Sequence, residues 1–248
     1  MTKLRQAMVF CAGLGTRLRP LSLKTPKPLV EIGGQPMLAW IAQSLQQAGV
    51  ERLVLNTHWL PEQVETYAQT HLAPHFELFI SREPHILGTG GGLYQARQWL
   101  DQDFFLVNAD ILTDLDFARF GAQHLAHETE VSLAVNQRPA ASSLLVDEEA
   151  QVVGLRRASG DLVTGDPVGQ IGAYNFTGIH ALSPYFLSRL KEPVASNLIE
   201  EYLKHLAEGL EVRAADISAQ YWSDVGTPEE LDLARQEWGG LPMQLKLR

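Results

Sequence analysis

Cysteine and long apolar runs are the scarcest features of this chain. It has one cysteine, Cys11, in 248 residues. A single cysteine excludes an internal disulfide and any metal site built from several cysteines. No window approaches the roughly 18 apolar residues of a membrane-spanning helix, and the N-terminus carries no long apolar segment. We therefore expect a cytoplasmic protein with no membrane partner.

Positive charge is also scarce. Lys and Arg total 20 against 29 Asp and Glu, which gives a formal net charge of -9. A nucleic-acid partner calls for a basic face, so we expect none. The eight histidines show no catalytic grouping. Neither His-Glu-x-x-His nor Gly-x-Ser-x-Gly occurs, which removes support for the common hydrolase classes.

Cations are nevertheless concentrated directly after the first apolar, strand-like run, residues 7–11. A glycine turn at Gly13 and Gly15 follows this run, and four basic residues come next: Arg17, Arg19, Lys24 and Lys27. Such a turn exposes backbone N–H groups that can wrap an anion, and the basic side chains add charge beside it. The segment predicts a triphosphate-binding turn. Its predicted nucleotide contacts are Ala12, Gly13, Gly15 and Thr16.

Two familiar glycine motifs do not fit this turn. A dinucleotide-binding turn has glycine where this chain has Leu18, and it opens a helix that the prolines at 20, 26 and 28 forbid. A Walker loop needs Gly-Lys-Ser/Thr after its second glycine, and that triplet is absent.

Strand and helix patterns alternate along the first 135 residues. The predicted strands are 7–11, 52–56, 76–80, 104–107 and 131–135, and the predicted helices are 36–48, 61–71, 91–100 and 117–124. This alternation predicts an α/β fold, a mostly parallel, doubly wound, Rossmann-like sheet. Residues 143–146 and 152–156 predict a hairpin, 158–169 a loop, and 171–180 a strand. We expect a single domain: a nucleotide-binding core (1–138), a small β-rich lid that binds the second substrate (about 139–215), and a return to the core (216–248).

Two aspartates follow separate predicted strands. Asp110 ends the run Phe-Leu-Val-Asn-Ala-Asp, and Asp224 lies in Tyr-Trp-Ser-Asp-Val-Gly-Thr-Pro. Carboxylates from two strand ends, together with phosphate oxygens, are ligands that suit Mg²⁺. Either aspartate alone could equally order a loop. Thr227 is a predicted N-cap for a last helix at 228–237.

A second glycine-rich run, Glu83-Pro-His-Ile-Leu-Gly-Thr-Gly-Gly-Gly, precedes a predicted helix. Its glycines can let a ligand approach the backbone, or can simply form a tight turn. We interpret it as the base-binding loop, with Gly88, Thr89 and Gly90 as contacts. Glu83 could accept hydrogen bonds from the base, which would suit guanine.

These runs together resemble the sugar-1-phosphate nucleotidyltransferases (NDP-sugar pyrophosphorylases). The resemblance rests on Gly-x-Gly-Thr-Arg-Leu-Arg-Pro, the downstream Pro-Lys-Pro and Trp-Ser-Asp-Val-Gly-Thr, and spans nearly the whole chain. It implies a GT-A-like fold and Mg²⁺-dependent transfer of a nucleoside monophosphate from UTP or GTP to a sugar 1-phosphate. The implied roles are catalysis for Arg17, Lys27 and Asp110, and metal binding for Asp110 and Asp224. The run Phe176-Thr-Gly-Ile is similar to the subgroup near N-acetylmuramic acid 1-phosphate uridylyltransferase.

The acceptor side is less defined. A Glu-Lys-Pro run, whose lysine grips the sugar phosphate in many such transferases, is missing; Arg156 and Arg157 could replace it or could be solvated strand-edge charges. The predicted sugar contacts are Asn108, Asn175, Thr177 and Glu200. Two other functions stay open at this point: a nucleotide-sugar-sensing regulatory pseudoenzyme, and a cytidylyltransferase acting on phosphocholine or a similar phospho-alcohol.

Overall fold

A computed structural model describes residues 3–192 and 194–240 of the chain. The described strands are β1 (Gln6–Phe10), β2 (Glu31–Ile32), β3 (Gln35–Pro36), β4 (Arg52–Thr57), β5 (Glu77–Arg82), β6 (Phe104–Asn108), β7 (Ile111–Thr113), β8 (Val131–Asn136), β9 (Ser143–Val146), β10 (Val152–Arg157), β11 (Gly160–Val163), β12 (Gly172–Leu182), β13 (Val212–Asp216) and β14 (Trp222–Asp224). The described α-helices are α1 (Met37–Ala48), α2 (Pro61–Tyr67), α3 (Gly88–Ala96), α4 (Phe117–His127), α5 (Pro184–Leu187), α6 (Leu198–Leu206) and α7 (Pro228–Gly240). None of the helices in these ranges has the length and apolar character needed to cross a bilayer.

The predicted α/β fold with a parallel central sheet is confirmed. Strands β5, β4, β1 and β6 lie side by side and pair in parallel, with Phe10 opposite both Asn56 and Asn108. The chain runs outward from β1 through β4 to β5, and then returns to the other side of β1 as β6. This reversal opens a crevice at the carboxyl ends of β1, β4 and β6, where open α/β sheets bind ligands.

Alternating side chains of the central strands face two helical layers. Ala7 and Val9 of β1 belong to a core that includes residues of α1, α2 and α4, whereas Met8 belongs to a second core that includes residues of α3, α5 and α6. Cys11 is buried in the first core, and burial raises the pKa of its thiol far above the usual value, so it is held as the unreactive thiol. Both faces of the sheet are therefore covered, as the short apolar strands predict.

Antiparallel pairing begins at β12. This strand pairs with β6 through Ile179–Leu182 and with β9 through residues 172–174, and β9, β10 and β11 continue the same sheet. The strands of the predicted lid are thus an extension of the central sheet. The proposed division at residues 138 and 215 stays a prediction.

Three segments differ from the sequence-based expectation. The predicted loop 158–169 contains the edge strand β11, whose four residues are all exposed and so carry no buried alternation that a sequence could reveal. The predicted helix 61–71 ends as α2 at Tyr67 and continues as one wide turn, Ala68–Leu72. The proline-rich stretch after the glycine turn forms no α-helix, as expected, but folds as three single 3₁₀ turns: Thr16–Leu18, Leu21–Leu23 and Lys27–Leu29.

A third apolar cluster lies beneath this proline-rich stretch. Leu18 is buried in it together with Val225, Leu231 and Trp238 from the end of the described chain. Trp238 of α7 meets Trp40 of α1 edge to face, with ring centroids 5.6 Å apart. Helix α7 and the segment before it therefore pack against the apolar side of the segment that contains the predicted triphosphate-binding turn.

Candidate active site

A cavity of about 230 Å³ occupies the crevice at the carboxyl ends of the parallel strands. Its lining residues come from each strand that ends there: Phe10, Ala12, Gly13, Asn56, Glu83, Ile86, Gly88, Thr89, Asn108 and Asp110. Seven of these ten were predicted from the sequence as nucleotide, sugar or metal contacts. The topology of the sheet explains why residues so far apart in sequence meet here.

The glycine turn borders this cavity. Gly15 has a left-handed φ of 59°, and its carbonyl accepts a hydrogen bond of 2.6 Å from the hydroxyl of buried Ser22. A Cβ on Gly15 would lie only 3.0 Å from that of Ser22, so the close turn requires glycine. Within the described residues, the amides at positions 13, 14 and 15 donate no hydrogen bond. Consecutive unpaired amides of this kind can bind an anion, and the triphosphate-binding role of the turn stays a prediction.

Asp110 and Asp224 meet at the same edge of the sheet. A short ribbon brings them together: β14 pairs with β7 so that Asp224 lies opposite Ile111, and the amide of Val225 donates to the carbonyl of Asp110 at 3.0 Å. Lys27 donates a hydrogen bond to Oδ2 of Asp110, and its Nζ lies 3.9 Å from Oδ1 of Asp224. The three charged groups form one cluster beside the cavity.

The pKa of Asp224 reflects this crowding. Burial, and next the negative charge of Asp110, raise the pKa of Asp224 to about 6, against a smaller opposing effect of Lys27. The arrangement thus holds two carboxylates close together with one ammonium group between them. Because burial and the neighbouring Asp110 disfavour the ionised form of Asp224, a further cation bound beside the two carboxylates would be stabilising.

These carboxylates fit a divalent metal ion. Oδ1 of Asp110 and Oδ1 of Asp224 are both buried, and neither has a hydrogen-bond partner in the described structure. Two carboxylate oxygens leave most of an octahedral shell to phosphate oxygens and water, which is the usual pattern for Mg²⁺. The described residues contain no cluster of three or more histidine, cysteine, aspartate or glutamate side chains suited to a metal.

Arg17 lies on the backbone that follows Asp224. A Cβ added to Gly226 would come within 2.7 Å of the Arg17 guanidinium carbon, so the arginine packs directly on this glycine. The same turn opens α7 with a capping box: the hydroxyl of Thr227 accepts from the amide of Glu230, and the Glu230 carboxylate accepts from the amides of Gly226 and Thr227. The cap fixes the turn on which the exposed arginine rests.

The predicted base-binding loop is packed against another part of the chain. Gly88, Gly90 and Gly91 are filled by the chain itself: a Cβ at these positions would lie 2.2–2.4 Å from atoms of Ser196 or Val194. The amide of Gly90 already donates to the carbonyl of Ser196 at 3.0 Å. Residues 194–196 therefore fill the space on the Cβ side of these three glycines, and their contact with a base stays a prediction. Gly88 and Thr89 still line the cavity, whereas Gly90 does not.

The predicted sugar contacts are placed unequally. Asn108 lines the cavity and packs on Gly178, whose φ is +79° and where a Cβ would lie 2.7 Å from Asn108 Nδ2. Asn175 is partly buried and donates to Asn136 at 3.2 Å. Thr177 is fully buried and its hydroxyl donates to the carbonyl of Ala134, so it links strands rather than facing the cavity.

The acceptor-side charges are largely paired. Glu200 is exposed and bonded to Arg157, and Arg156 pairs with Asp161 on the neighbouring edge strand. The guanidinium of Arg138 instead lies 5.7 Å from the ring centroid of Trp222, and no carboxylate of the described residues pairs with it. Trp222 precedes Asp224 by two positions on β14, so its side chain and that carboxylate share one face of the ribbon.

Sequence reasoning missed Asn56 and Gly226. The one signal for Asn56 is its position, a polar residue near the carboxyl end of an otherwise apolar strand. Gly226 lies inside a motif that the sequence singled out, but nothing in the sequence shows that an arginine more than two hundred positions earlier rests on it.

The nucleotidyl transferase family model matches residues 6–144, more than half of the chain. The chain belongs to the nucleotidyl transferase family. A mannose-1-phosphate guanyltransferase of Schizosaccharomyces pombe is 32% identical over 231 residues, covering 91% of this chain and 62% of that protein. The chain thus spans about 60% of the length of such curated relatives.

Solved structures share the fold across nearly the full chain. HddC from Yersinia pseudotuberculosis complexed with GMP-PN superposes with a TM-score of 0.74 at 21% identity, covering 95% of this chain and 100% of that one. A putative glucose-1-phosphate thymidylyltransferase from Bacillus anthracis superposes with a TM-score of 0.81 at 14% identity, covering 98% and 99%. These likenesses confirm the predicted fold of the nucleotidyltransferases.

Proposed function

We propose that this chain transfers guanylyl groups from GTP to a hexose-type or related sugar 1-phosphate and releases pyrophosphate. The observation that carries the proposal is the meeting of Asp110, Asp224 and Lys27 beside a glycine turn with unpaired amides. Similarity to the mannose-1-phosphate guanyltransferase of S. pombe and to HddC complexed with GMP-PN supports guanine over uracil.

In this reaction an oxygen of the sugar phosphate attacks the α-phosphorus of the nucleotide. A new P–O bond forms as the bond to the bridging oxygen of the β-phosphate breaks, and that oxygen leaves with the pyrophosphate. The attacking phosphate is largely dianionic near neutral pH, because its second pKa is about 6. No general base is required, which agrees with a site whose charged cluster contains no histidine.

Bringing two anions together is the main obstacle to this reaction, and the chain offers cations and amides for it. The amides of the glycine turn at Gly13, Gly15 and Thr16, with Ala12 beside them, would hold the triphosphate. Arg17 would stabilise the departing pyrophosphate, and Lys27 the phosphates at the reacting centre. Mg²⁺ held by Asp110 and Asp224 would supply further charge neutralisation during the transfer. Positioning of the two substrates can lower the barrier by roughly 7–11 kcal/mol at best.

Base and sugar recognition would fall on opposite sides of this centre. Glu83, at the end of β5, would accept from the two adjacent N–H donors of guanine, with Gly88 and Thr89 beneath the nucleoside. Asn108 lines the cavity next to Asp110 and is the best placed of the sugar contacts. Asn175 and Glu200 would contribute from the lid.

A pyrophosphate-release assay tests the proposal directly. We expect release with GTP and a sugar 1-phosphate in Mg²⁺, and loss of at least about 100-fold in Asp110→Asn, a variant that should still fold and unfold cooperatively. Asp161→Asn, an exposed carboxylate on β11, is the matched control and should keep full activity. Release with CTP and phosphocholine, or no release with any nucleotide despite nucleotide-sugar binding, would contradict the proposal.

A further inference from the structure

Asn56 lines the cavity between Cys11, which leads into the predicted triphosphate-binding turn, and Glu83, the predicted base contact. It lies in β4, one residue before the strand ends, and it is 2% exposed. In the sheet register it stands between Phe10 of β1 and Ser81 of β5. Strand β1 ends at Phe10, and the amide of the next residue, Cys11, bonds to the side chain of Asn56.

Both ends of its amide are used. Oδ1 accepts from the amide of Cys11 at 2.7 Å, directly before the glycine turn, and Nδ2 donates to Oε1 of Glu83 at 2.7 Å. An N–H faces one end and a carboxylate faces the other, so only one orientation of the amide satisfies both. Asn56 therefore joins the start of the triphosphate-binding turn to the predicted base-reading carboxylate.

The carboxylate of Glu83 is otherwise held from its own segment. Its Oε2 accepts from the amide of Leu87 at 3.0 Å, while the backbone carbonyl of Glu83 lies 2.9 Å from Nδ1 of His58. Gly92 of α3 leaves room for the pair: a Cβ there would lie 2.7 Å from Glu83 Oε1 and 3.0 Å from Asn56 Nδ2. The hydrogen bond from Asn56 thus connects this carboxylate to the start of the predicted triphosphate-binding turn.

A carboxylate has about four acceptor positions over its two oxygens. The bonds from Asn56 and Leu87 use one on each oxygen, which leaves one on each oxygen of this buried carboxylate at the cavity wall. Two acceptors on one carboxylate can pair with the adjacent N1–H and N2–H donors of guanine. They do not match uracil, whose single N–H is flanked by two carbonyl oxygens.

We propose that Asn56 is a positioning residue for base selection, which holds the Glu83 carboxylate at a fixed distance from the triphosphate-binding turn. This inference rests on the proposed guanylyl transfer. Without Asn56 the turn still binds phosphates, but the carboxylate is no longer held where a base attached to those phosphates can reach both acceptors. Base preference falls while phosphate binding persists.

The test measures kcat/KM for GTP and for UTP on the same enzyme sample and takes their ratio. An unfolded fraction lowers both values equally, so the ratio reports the site and not the stability. We expect Asn56→Ala to lower the GTP preference by about tenfold or more. Thr57→Val is the matched control: Thr57 is the next residue of β4, is fully buried, and donates its hydroxyl to Glu65 of α2. The substitution removes that side-chain bond but keeps the backbone carbonyl of Thr57, which accepts from the amide of Glu83 at 2.8 Å.

Two further variants sharpen the test. Asn56→Asp keeps the size of the side chain and the oxygen that accepts from Cys11, but places a second carboxylate against Glu83. It should lower the GTP-to-UTP ratio at least as much as Asn56→Ala does. It also provides the test if Asn56→Ala folds poorly. Adding Asn56→Ala to Glu83→Gln should lower the ratio no further, because the asparagine acts through Glu83. A wild-type ratio in both Asn56 variants would overturn the inference. An absence of nucleotide-dependent pyrophosphate release by the wild-type chain would instead overturn the proposed function.

Discussion

The Nζ atom of Lys27 lies 3.9 Å from Oδ1 of Asp224 while it donates a hydrogen bond to Asp110. The lysine side chain is only 12% exposed, so its ammonium group neutralises part of the charge of two carboxylates in a poorly solvated place. Lys27, which we propose contacts the substrate phosphates, thus also stabilises the two carboxylates when no ligand is bound. The charges of this cluster can therefore be probed through the stability of the unliganded protein.

The first prediction concerns stability against pH. The pKa of Asp224 is raised to about 6, so the folded state favours the protonated acid. Stability is therefore lost as the pH rises from about 4, where the unfolded carboxyl ionises, to about 6, and the full cost is present at pH 8. Asp224→Asn should therefore raise the melting temperature in EDTA at pH 8, and the gain should shrink at pH 5. We expect about 2–4 °C at pH 8, a reduced figure because the carboxylate is 36% exposed and partly screened. A lower melting temperature of the variant at pH 8 would contradict this assignment.

The second prediction concerns the glycine beneath Arg17. Gly226→Ala places a methyl group within 2.7 Å of the guanidinium, whose flexible side chain can move aside, so the fold should survive while Arg17 is displaced. We expect kcat/KM to fall by up to about 100-fold with little change in melting temperature. In a double-mutant cycle with Arg17→Ala, the second substitution should add nothing. Additive losses would show that Gly226 acts independently of the arginine.

The third prediction concerns the base. Glu83→Gln replaces one acceptor with a donor, which no longer matches the paired N–H groups of guanine and better matches the N–H and carbonyl edge of uracil. The preference for GTP over UTP should fall at least about tenfold, measured as the ratio of kcat/KM values. An unchanged ratio would remove Glu83 from base recognition.

The fourth prediction separates two neighbouring glycines of α3. Gly91→Ala meets the backbone carbonyl of Val194 at 2.4 Å, which no side-chain movement can relieve, and overpacking of about 1–3 kcal/mol should lower the melting temperature by about 2–10 °C. Gly90→Ala meets the hydroxyl of Ser196 at 2.2 Å, so Ser196→Ala should restore most of its loss. Thermal denaturation of the three single variants, and of each glycine variant combined with Ser196→Ala, tests this prediction. Rescue of Gly91→Ala by Ser196→Ala would contradict the packing described.

The central sheet was predictable because its strands are apolar on both faces and alternate with helices. The glycine turn was predictable too, since cations cluster after β1 in a chain of negative net charge. Edge strand β11 was not, because all four of its residues are exposed. Its close approach to β10 occurs at Gly154, where a Cβ would lie 2.1 Å from the carbonyl of Leu162.

The meeting of the two aspartates could be proposed from the sequence, but the pairing that produces it left no signal there. It depends on the pairing of β7 with β14, strands of three residues each, and such short segments carry no readable periodicity. The glycines of α3 show the same limit. A sequence does not show whether a glycine makes room for a ligand or for another part of the chain. At these glycines of α3, residues 194–196 fill the space where a Cβ would lie.

Helix α7, near the end of the described chain, packs against a segment that is synthesised early. Leu18, inside the predicted triphosphate-binding segment, has its buried neighbours Val225, Leu231 and Trp238 at the other end of the described chain. During synthesis this segment leaves the ribosome early, but its apolar partners follow only with α7. The segment should therefore reach its packed conformation late, and a polypeptide truncated before α7 should leave Leu18 without Leu231 and Trp238.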